Sequence, residues 1–260
     1  MFPASAFWSP YLLQPSLLKA WWSADDVAPG AVATWTDRTN AIATTATSTA
    51  QPTAAVNSWA VTTNPQPGVT FDGVANYMSV TPVPAGLPTV AASGEVWAVA
   101  ANTSVAAAFK SVVRYGAFNT SDRGIVTSND ARQSLFVPGT TTSLFGTGSP
   151  ALGTTGFIAG GAWTATTLSA RLNGADLLPT STAAQSGVNT STGRLYIGAN
   201  AAPTPGHFWQ GVTRHVIVIG GRLLTLVERQ LLEGYLAWDS WDNGPASPLP
   251  SNHPWKYVCP

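Results

Sequence analysis

Acidic side chains are the residues whose spacing would first indicate catalysis in this sequence. The 260-residue chain has twelve Asp and Glu residues. A glycosidase uses two carboxylates that flank the bond it cleaves, and carboxylates at alternate positions of one strand lie on the same face. The sequence contains no alternating pair of this kind. Convergence of carboxylates that are distant in sequence is left open as a minor alternative, but the spacing predicts a protein that is not an enzyme.

Nucleophile and metal motifs lead to the same expectation. The sequence has neither a Gly-x-Ser-x-Gly elbow nor a His-Glu-x-x-His zinc motif. Its single cysteine, Cys259, has only His253 near it in sequence as a basic partner for a thiolate. His207 lies in a loop with Pro and Gly and His215 in an apolar stretch, so a metal site between them is a minor alternative. We expect no catalytic residue, no resident metal and no cofactor.

Calcium is the ion that the sequence leaves open. Ca²⁺ binds clustered carboxylate and carbonyl oxygens, which Asp25-Asp26 or Asp122 with Asn129-Asp130 could supply. The same residue types are typical of turns, where their side chains bond their own backbone. Asp72-Gly73 has the same character. We favour turns at all of these positions.

Tryptophan side chains are the candidates for contact with a glycan. Of the eleven tryptophans, Trp59, Trp163 and Trp209 stand near predicted turns, where an exposed ring could stack on a sugar. A place in the hydrophobic core is the competing interpretation for these three. Five others stand in apolar or motif contexts and are assigned to the core: Trp21, Trp22, Trp35, Trp97 and Trp238.

Short strands are the elements that would position these residues. The chain has 24 Gly and 20 Pro, and β-rich runs lie between them, a pattern typical of an all-β sandwich. Strands are predicted at Gly94–Ala101, Thr167–Leu172, Arg194–Gly198 and Val212–Ile219. Asn173-Gly174 follows the second of these and predicts a tight hairpin, because both positions accept positive φ.

One helix is predicted, from Leu226 to Trp238. Thr225 and Glu228 have the spacing of a capping box, and Gly234 would permit a close approach to a neighbouring surface. Four apolar residues recur at helical spacing and predict the buried face: Val227, Leu231, Tyr235 and Trp238.

The tail from Asp239 to Pro260 contains five prolines and is predicted to be irregular. Four apolar residues in it predict that the tail packs along the body: Trp241, Leu249, Trp255 and Tyr257. No sharp change in composition and no internal repeat marks a boundary. We therefore expect a single domain over residues 1–260, with the helix and the tail packed on it.

Several motifs, taken in order, resemble a known family. They are Leu18–Asp26, the Trp-x-Asp segment Trp35–Arg38, the Phe-Asp-Gly segment Val69–Met78, the helix Glu228–Trp238 and the tail Leu249–Lys256. This set resembles the concanavalin A-like, laminin G-like domains common in bacteriophage virion and bacterial surface proteins. The resemblance implies a jelly-roll sandwich of two antiparallel sheets. The family often has a Glu in its penultimate strand where this chain has Arg214 or His215, so no role of that Glu is carried over.

Low charge narrows the range of partners. Charged residues make up 9% of the chain, and twelve basic residues balance twelve acidic ones, against about 25% charged residues in a usual domain. A neutral chain lacks the cationic surface that binds nucleic acid, and the absence of a run of about 18 apolar residues predicts no membrane span. A surface of small polar residues suits packing into an assembly, although a soluble protein with few charges is an equally open interpretation.

These observations lead to one main hypothesis and two alternatives. The main hypothesis is a non-catalytic structural or accessory protein of a bacteriophage virion, such as a capsid decoration or a tail or fibre module, with host glycans as further ligands. Its expected partners are other virion proteins and further copies of the chain. Residues 1–22 have no basic n-region and are interrupted by prolines, so we expect synthesis in the host cytoplasm without a secretory signal. The alternatives are a bacterial carbohydrate-binding adhesion module and a glycan-cleaving enzyme.

Overall fold

Short β-strands dominate the structure, as the recurring turn residues predict. The computed structural model describes residues 8–14, 16–40, 42–46, 49–59, 65–88, 92–103, 110–117, 121–127, 133–136, 144–145, 156–181, 193–200, 204–241 and 246–260. The strands in these ranges are β1 Leu18–Ser23, β2 Gly30–Ala31, β3 Thr34–Thr36, β4 Ala43–Thr45, β5 Thr53–Trp59, β6 Gln66–Asp72, β7 Met78–Val80, β8 Gly94–Asn102, β9 Lys110–Ala117, β10 Ser121–Thr127, β11 Gln133–Phe136, β12 Leu144–Phe145, β13 Gly156–Trp163, β14 Leu168–Leu172, β15 Ala175–Ser181, β16 Arg194–Ile197 and β17 Gln210–Gly220. A helix, α1, spans Leu226–Ser240, and short 3-10 turns span Pro10–Leu12 and Ala24–Asp26.

Two antiparallel sheets form the body. The first has the order β15-β14-β13-β8-β17-β6-β5-β2, with β1 also paired to β17. The second has the order β12-β11-β10-β9-β16-β7-β4-β3. This arrangement confirms the predicted all-β, two-sheet antiparallel sandwich with one C-terminal helix.

The central strands of the first sheet are buried on both faces. In β8, Val96, Ala98 and Ala100 belong to the core between the two sheets. The alternate residues Trp97 and Val99 belong to a second hydrophobic layer, which α1, the tail and residues 13–21 complete. Burial on both faces explains why β8 and the second half of β17, Val216–Ile219, are apolar at successive positions although the sheet is antiparallel. The predicted buried strands at Gly94–Ala101 and Val212–Ile219 are therefore confirmed.

The predicted hairpin forms between β14 and β15. Asn173 has φ of 50° and Gly174 has φ of 84°, as a two-residue hairpin turn with positive φ at both positions requires. The Asn173 side chain accepts a hydrogen bond from the Ile158 amide at 2.9 Å. The turn is thus also tied to the neighbouring strand β13.

Helix α1 begins where predicted, but its buried face differs from the predicted one. Thr225 and Glu228 form the complete capping box. Leu232, Leu236 and Ala237 are buried, whereas Val227 is 63% exposed. The predicted buried face was therefore rotated around the helix axis relative to the observed one. The helix also buries the carboxylate of Glu233, and a pattern of apolar residues cannot show that an ion pair lies on the buried face.

The tail contacts the helix and the hydrophobic layer on the first sheet. Trp241 and Leu249 are buried, and the Trp238 indole donates to the carbonyl of Trp255 at 2.9 Å. Gly234 faces the same tail residue, because a Cβ atom at that position would lie 2.5 Å from the Cβ of Trp255. The prediction fails for Tyr257, which is 61% exposed.

The two ends of the described chain meet at one point. The Trp8 amide donates to the carbonyl of Pro260 at 2.9 Å. The ring of Trp8 also contacts Tyr235 of α1, with centroids 6.2 Å apart. Among the described residues, no helix combines the length and the apolar character needed to cross a membrane.

Candidate functional site

A groove of about 320 Å³ opens beside the N-terminal 3-10 turn, between that turn, β1 and the loop after β3. Its floor is apolar and its rim is polar. Six residues line it: Tyr11, Leu13, Leu18, Arg38, Thr39 and Asn40. A concave site with a few polar groups around an apolar surface is typical of small-molecule binding.

Tyr11 provides the exposed aromatic ring of the groove. The Ser9 side chain caps the 3-10 turn by accepting a hydrogen bond from the Tyr11 amide at 3.2 Å. The Tyr11 ring leans on Trp21, with centroids 5.2 Å apart, and its hydroxyl donates to the carbonyl of Arg38 at 3.1 Å. The side chain is nevertheless 53% exposed. It therefore presents a supported, partly open ring to the groove.

Asp37 holds the loop that carries the polar rim. Its buried carboxylate accepts hydrogen bonds from the amides of Thr39 at 2.8 Å and Asn40 at 3.0 Å. It also accepts one from the amide of Trp21 at 3.4 Å, which ties the loop to β1. The Trp-x-Asp segment found in the sequence therefore has a structural role, because Asp37 fixes the loop that carries Thr39 and Asn40.

Arg38 is already neutralised by carboxylates. Its Nε and Nη2 atoms donate to the two oxygens of Asp26 at 2.6 and 3.0 Å, and Asp25 lies 3.5 Å away. The guanidinium carbon lies 4.4 Å from the ring centroid of Trp21. Burial opposes the charged form, but the Asp26 carboxylate outweighs it and raises the pKa of Arg38. Arg38 is therefore held at the rim of the groove by two carboxylates, as part of a larger ion-pair group.

Asn40 supplies an acceptor at the rim. Its side-chain nitrogen donates to the carbonyl of Lys19 and to Thr39 Oγ1. The amide oxygen of this exposed side chain consequently points away from those contacts. The rim thus offers a hydroxyl, an amide oxygen and a guanidinium beside one aromatic ring.

Behind the groove, Asp25, His215 and Asp239 come together from distant parts of the chain. Their ligand-type atoms lie within 4.8 Å of one another. Arg214 bridges the two carboxylates, at 3.1 Å from Asp25 and 2.8 Å from Asp239. The three side chains are of metal-ligating types, but the guanidinium supplies the positive charge that a cation would bring.

His215 is held in its neutral form. The Trp21 indole donates to His215 Nδ1 at 3.4 Å, so His215 Nε2 carries the proton and donates to Asp239 Oδ2 at 2.7 Å. Burial, aided by the charge of Arg214, lowers the pKa of His215 despite the opposing effect of Asp239. The pKa of Asp239 is also lowered, because the hydrogen bond from His215 and the charge of Arg214 outweigh the effect of burial. Asp239 is therefore an ionised carboxylate at neutral pH.

The three tryptophans predicted for glycan contact lie in the interior. Trp59, Trp163 and Trp209 are 0%, 3% and 0% exposed. Trp59 donates to the carbonyl of Ser240 at 2.7 Å, Trp163 to that of Ala92 at 3.0 Å, and Trp209 packs edge-on against Phe157. The expectation that these three rings are exposed near turns is therefore wrong, since each ring makes a contact in the protein interior. The exposed ring at the groove, Tyr11, was not predicted, although its place between two prolines of a short apolar segment could have indicated a surface turn.

The other residues singled out in the sequence are dispersed. Asp72 accepts backbone hydrogen bonds from the turn after it, as predicted. Asp122 is buried beside Arg114, whereas Asn129-Asp130 lie outside the described residues. The potential metal group contains His215 but not His207.

Comparison with known proteins identifies the fold. No family model and no curated protein sequence matches the chain. A Trypanosoma rangeli sialidase in complex with sialic acid is similar with a TM-score of 0.56 and 15% identity, over 85% of this chain and 33% of the sialidase. Domain 4 of AbnA, a Geobacillus stearothermophilus arabinanase, in complex with arabinotriose, has a TM-score of 0.51 and 13% identity, over 81% of this chain and 95% of that domain. The binding domain of Paraclostridial Mosquitocidal Protein 1 has a TM-score of 0.63 and 8% identity, over 86% of this chain and 53% of the matched chain.

These matches correct one expectation and support another. The expectation that the chain is not an enzyme is contradicted, because the same fold occurs within sialidases. The sequence argument treated convergence of distant carboxylates only as a minor alternative, and the structure brings Asp25 and Asp239 together in space. The chain spans about a third of the sialidases it matches. The implied sandwich fold is supported: the chain has a two-sheet β-sandwich fold that also occurs in a sialidase and in an arabinanase domain.

Proposed function

We propose that this sandwich binds saccharides and that the groove beside Tyr11 is the binding site. The observation that carries the proposal is the partly open Tyr11 ring next to the polar rim formed by Arg38, Thr39 and Asn40. A sugar ring packs its C–H face on an aromatic ring while its hydroxyl groups bond to polar side chains at the edge. The arabinotriose complex of a domain that has this fold over 95% of its length supports a saccharide as the ligand.

The charges around the groove favour a neutral saccharide. The ion-pair group beside and behind it contains two guanidinium groups, Arg38 and Arg214, and three carboxylates, Asp25, Asp26 and Asp239. Its net charge is therefore −1. An acidic sugar would approach Asp25 and Asp26, which are partly exposed, and would be repelled.

Titration with neutral oligosaccharides, beginning with arabinotriose, tests this proposal. We expect Tyr11→Ala to weaken binding about fivefold, because an aromatic contact contributes about 1 kcal/mol beyond area burial. Tyr11→Phe should bind nearly as well as the wild type, because it keeps the ring. Tyr257→Ala is the matched control, since Tyr257 is a similarly exposed tyrosine in the tail. Equal affinity of Tyr11→Ala and Tyr257→Ala, or no binding across a neutral glycan panel, would contradict the proposal.

The second candidate function is glycan cleavage, supported by the convergence of Asp25 and Asp239. Their oxygens lie within 4.8 Å of each other, and retaining glycosidases hold two carboxyl groups about 5–5.5 Å apart. The lowered pKa of Asp239 suits a nucleophile, and Asp25 is the second carboxyl group of the pair. Chromatography of glycans incubated with the protein tests this function. Products that persist in Asp25→Asn, or the absence of products in the wild type, would exclude this pair.

The setting that we propose is the surface of a bacteriophage virion. The support is the order of the sequence motifs and the low proportion of charged residues, 9%. Association with other virion proteins or further copies should then depend little on salt, because few charges take part. Sedimentation across salt concentrations, with and without isolated virion proteins, is the test. A strict monomer that binds no virion protein would contradict the proposed virion setting, but not the proposed saccharide binding.

A further inference from the structure

A second group of aromatic rings lies on the outer face of the second sheet. Leu195 and Ile197 of β16 point into the core between the sheets, so Tyr196 between them points to the opposite face. Tyr196 packs with Tyr77 and Phe208 outside both main hydrophobic layers. The centroid of Tyr77 lies 5.4 Å from that of Tyr196 and 6.2 Å from that of Phe208. Tyr77 and Phe208 are only partly buried, so their rings border solvent.

Basic side chains surround these rings. Arg194 lies two residues before Tyr196 on the same face of β16 and interacts with the Tyr196 hydroxyl. Lys110 reaches across from β9, and its Nζ donates at 3.3 Å to the carbonyl of Gly73, in the turn that leads to Tyr77. His207 directly precedes Phe208. Burial and the positive charges of Arg114 and Lys110 lower the pKa of His207. Both cations therefore lie close enough to His207, beside Phe208, to affect its charge.

Two described acidic residues lie near these cations, and both already have hydrogen-bond or ion-pair partners. Asp122 pairs with Arg114. Asp72 accepts three backbone hydrogen bonds at 2.8 to 3.0 Å within its own turn, and these lower its pKa although burial opposes them. Arg114, Lys110 and Arg194 against Asp72 and Asp122 leave a charge of +1 among the described residues. This sign is opposite to that of the groove.

We propose that this face, formed by Tyr77, Phe208, Lys110 and Arg194, is a second saccharide site that takes sugars bearing a carboxylate. The partly open rings provide a stacking surface for a pyranose ring. Lys110 lies at one end of the ring cluster and Arg194 at the other, so each can form a charge-assisted hydrogen bond with the carboxylate of a different sugar of a short acidic oligosaccharide. Binding of single-stranded nucleic acid requires a continuous cationic groove along several phosphates, whereas the described cations here stand apart from each other. The inference rests on this face alone and is independent of the groove.

Trigalacturonate and its uncharged methyl ester are the matched probes, because they share the same rings and differ in charge. We expect trigalacturonate to bind, the ester to bind at least about tenfold more weakly, and added salt to weaken only the charged probe. Lys110→Gln should weaken trigalacturonate binding severalfold. Lys19→Gln is the control, because it removes the same charge from β1 of the other sheet. Phe208→Leu should weaken both probes, because it keeps apolar volume and removes the ring.

The test separates this site from the groove. Tyr11→Ala should leave trigalacturonate binding unchanged, and thermal melting of each variant establishes that it is folded. Three outcomes would overturn the proposal: equal affinity for acid and ester, equal affinity of Lys110→Gln and Lys19→Gln for trigalacturonate, or a short single-stranded oligonucleotide that binds this face more tightly than trigalacturonate.

Discussion

Removing one partner of the buried ion pair between Arg171 and Glu233 should cost far more stability than removing the exposed partner of the same arginine. Arg171 of β14 donates to the Glu233 carboxylate of α1 at 2.9 and 3.1 Å, and His253 of the tail lies 3.3 Å from Glu233. The Glu233 side chain is fully buried and that of Arg171 is 6% exposed. Asp176 lies closer to Arg171, at 2.6 Å, but is 65% exposed. Solvent screens the shorter contact between Arg171 and Asp176. The distances alone would therefore rank the effects of the two ion pairs on stability in the wrong order.

Glu233→Leu is therefore expected to lower the free energy of unfolding by about 3 kcal/mol. Removal of one partner of a buried pair costs about 3–5 kcal/mol, because the other charge stays buried. The lower end applies because Asp176 and the carbonyl of Gly174, at 2.8 Å, still contact Arg171. Asp176→Ala removes a largely exposed partner and should cost at most about 1 kcal/mol.

Urea unfolding followed by tryptophan fluorescence measures these changes. The double variant Arg171→Met/Glu233→Leu should recover to within about 1 kcal/mol of the wild type, since an apolar pair of similar volume often replaces a buried ion pair without loss. A loss below about 1 kcal/mol for Glu233→Leu would refute the reasoning. So would a double variant no more stable than the single one.

Two further predictions concern the hairpin and the buried histidine. Gly174→Ala should cost more than about 1 kcal/mol in the same assay, because Gly174 has φ of 84° and a Cβ there would lie 2.9 Å from His253 Cδ2; an unchanged midpoint would contradict the close contact. The lowered pKa of His215 means that the unfolded chain takes up a proton first as the pH falls below about 6.5. The free energy of unfolding should therefore decrease as the pH decreases, by at most about 1.4 kcal/mol per pH unit from this residue. His215→Gln should show a weaker dependence of the free energy of unfolding on pH than the wild type between about pH 5 and 6.5. The same pH dependence in both proteins would contradict a buried neutral His215.

The sequence predicts most of the fold because local signals and packing agree there. The apolar run of β17, the Asn173-Gly174 turn and the Thr225–Glu228 capping box each allow one conformation, and the structure has all three. The face of α1 could not be predicted, because Glu233 is buried by partners that lie far away in sequence.

The candidate site was less predictable for a related reason. Trp59 stands near a predicted turn but is buried against Trp241, with centroids 5.3 Å apart. Tyr11 is exposed although it stands in an apolar segment. The groove depends on a contact between the N-terminal turn and the loop held by Asp37, and no periodicity in the sequence encodes that contact.

The hydrogen bond between the Trp8 amide and the carbonyl of Pro260 makes the sandwich suitable for insertion into another protein. A module whose chain enters and leaves at neighbouring points, here Trp8 and Pro260, can be placed in a host loop without widely separating the loop's flanks. The host backbone would continue almost as if nothing had been inserted. A pull applied through both ends would also act first on this one contact and on the tail, and the strands behind them would carry load only after the tail had peeled away.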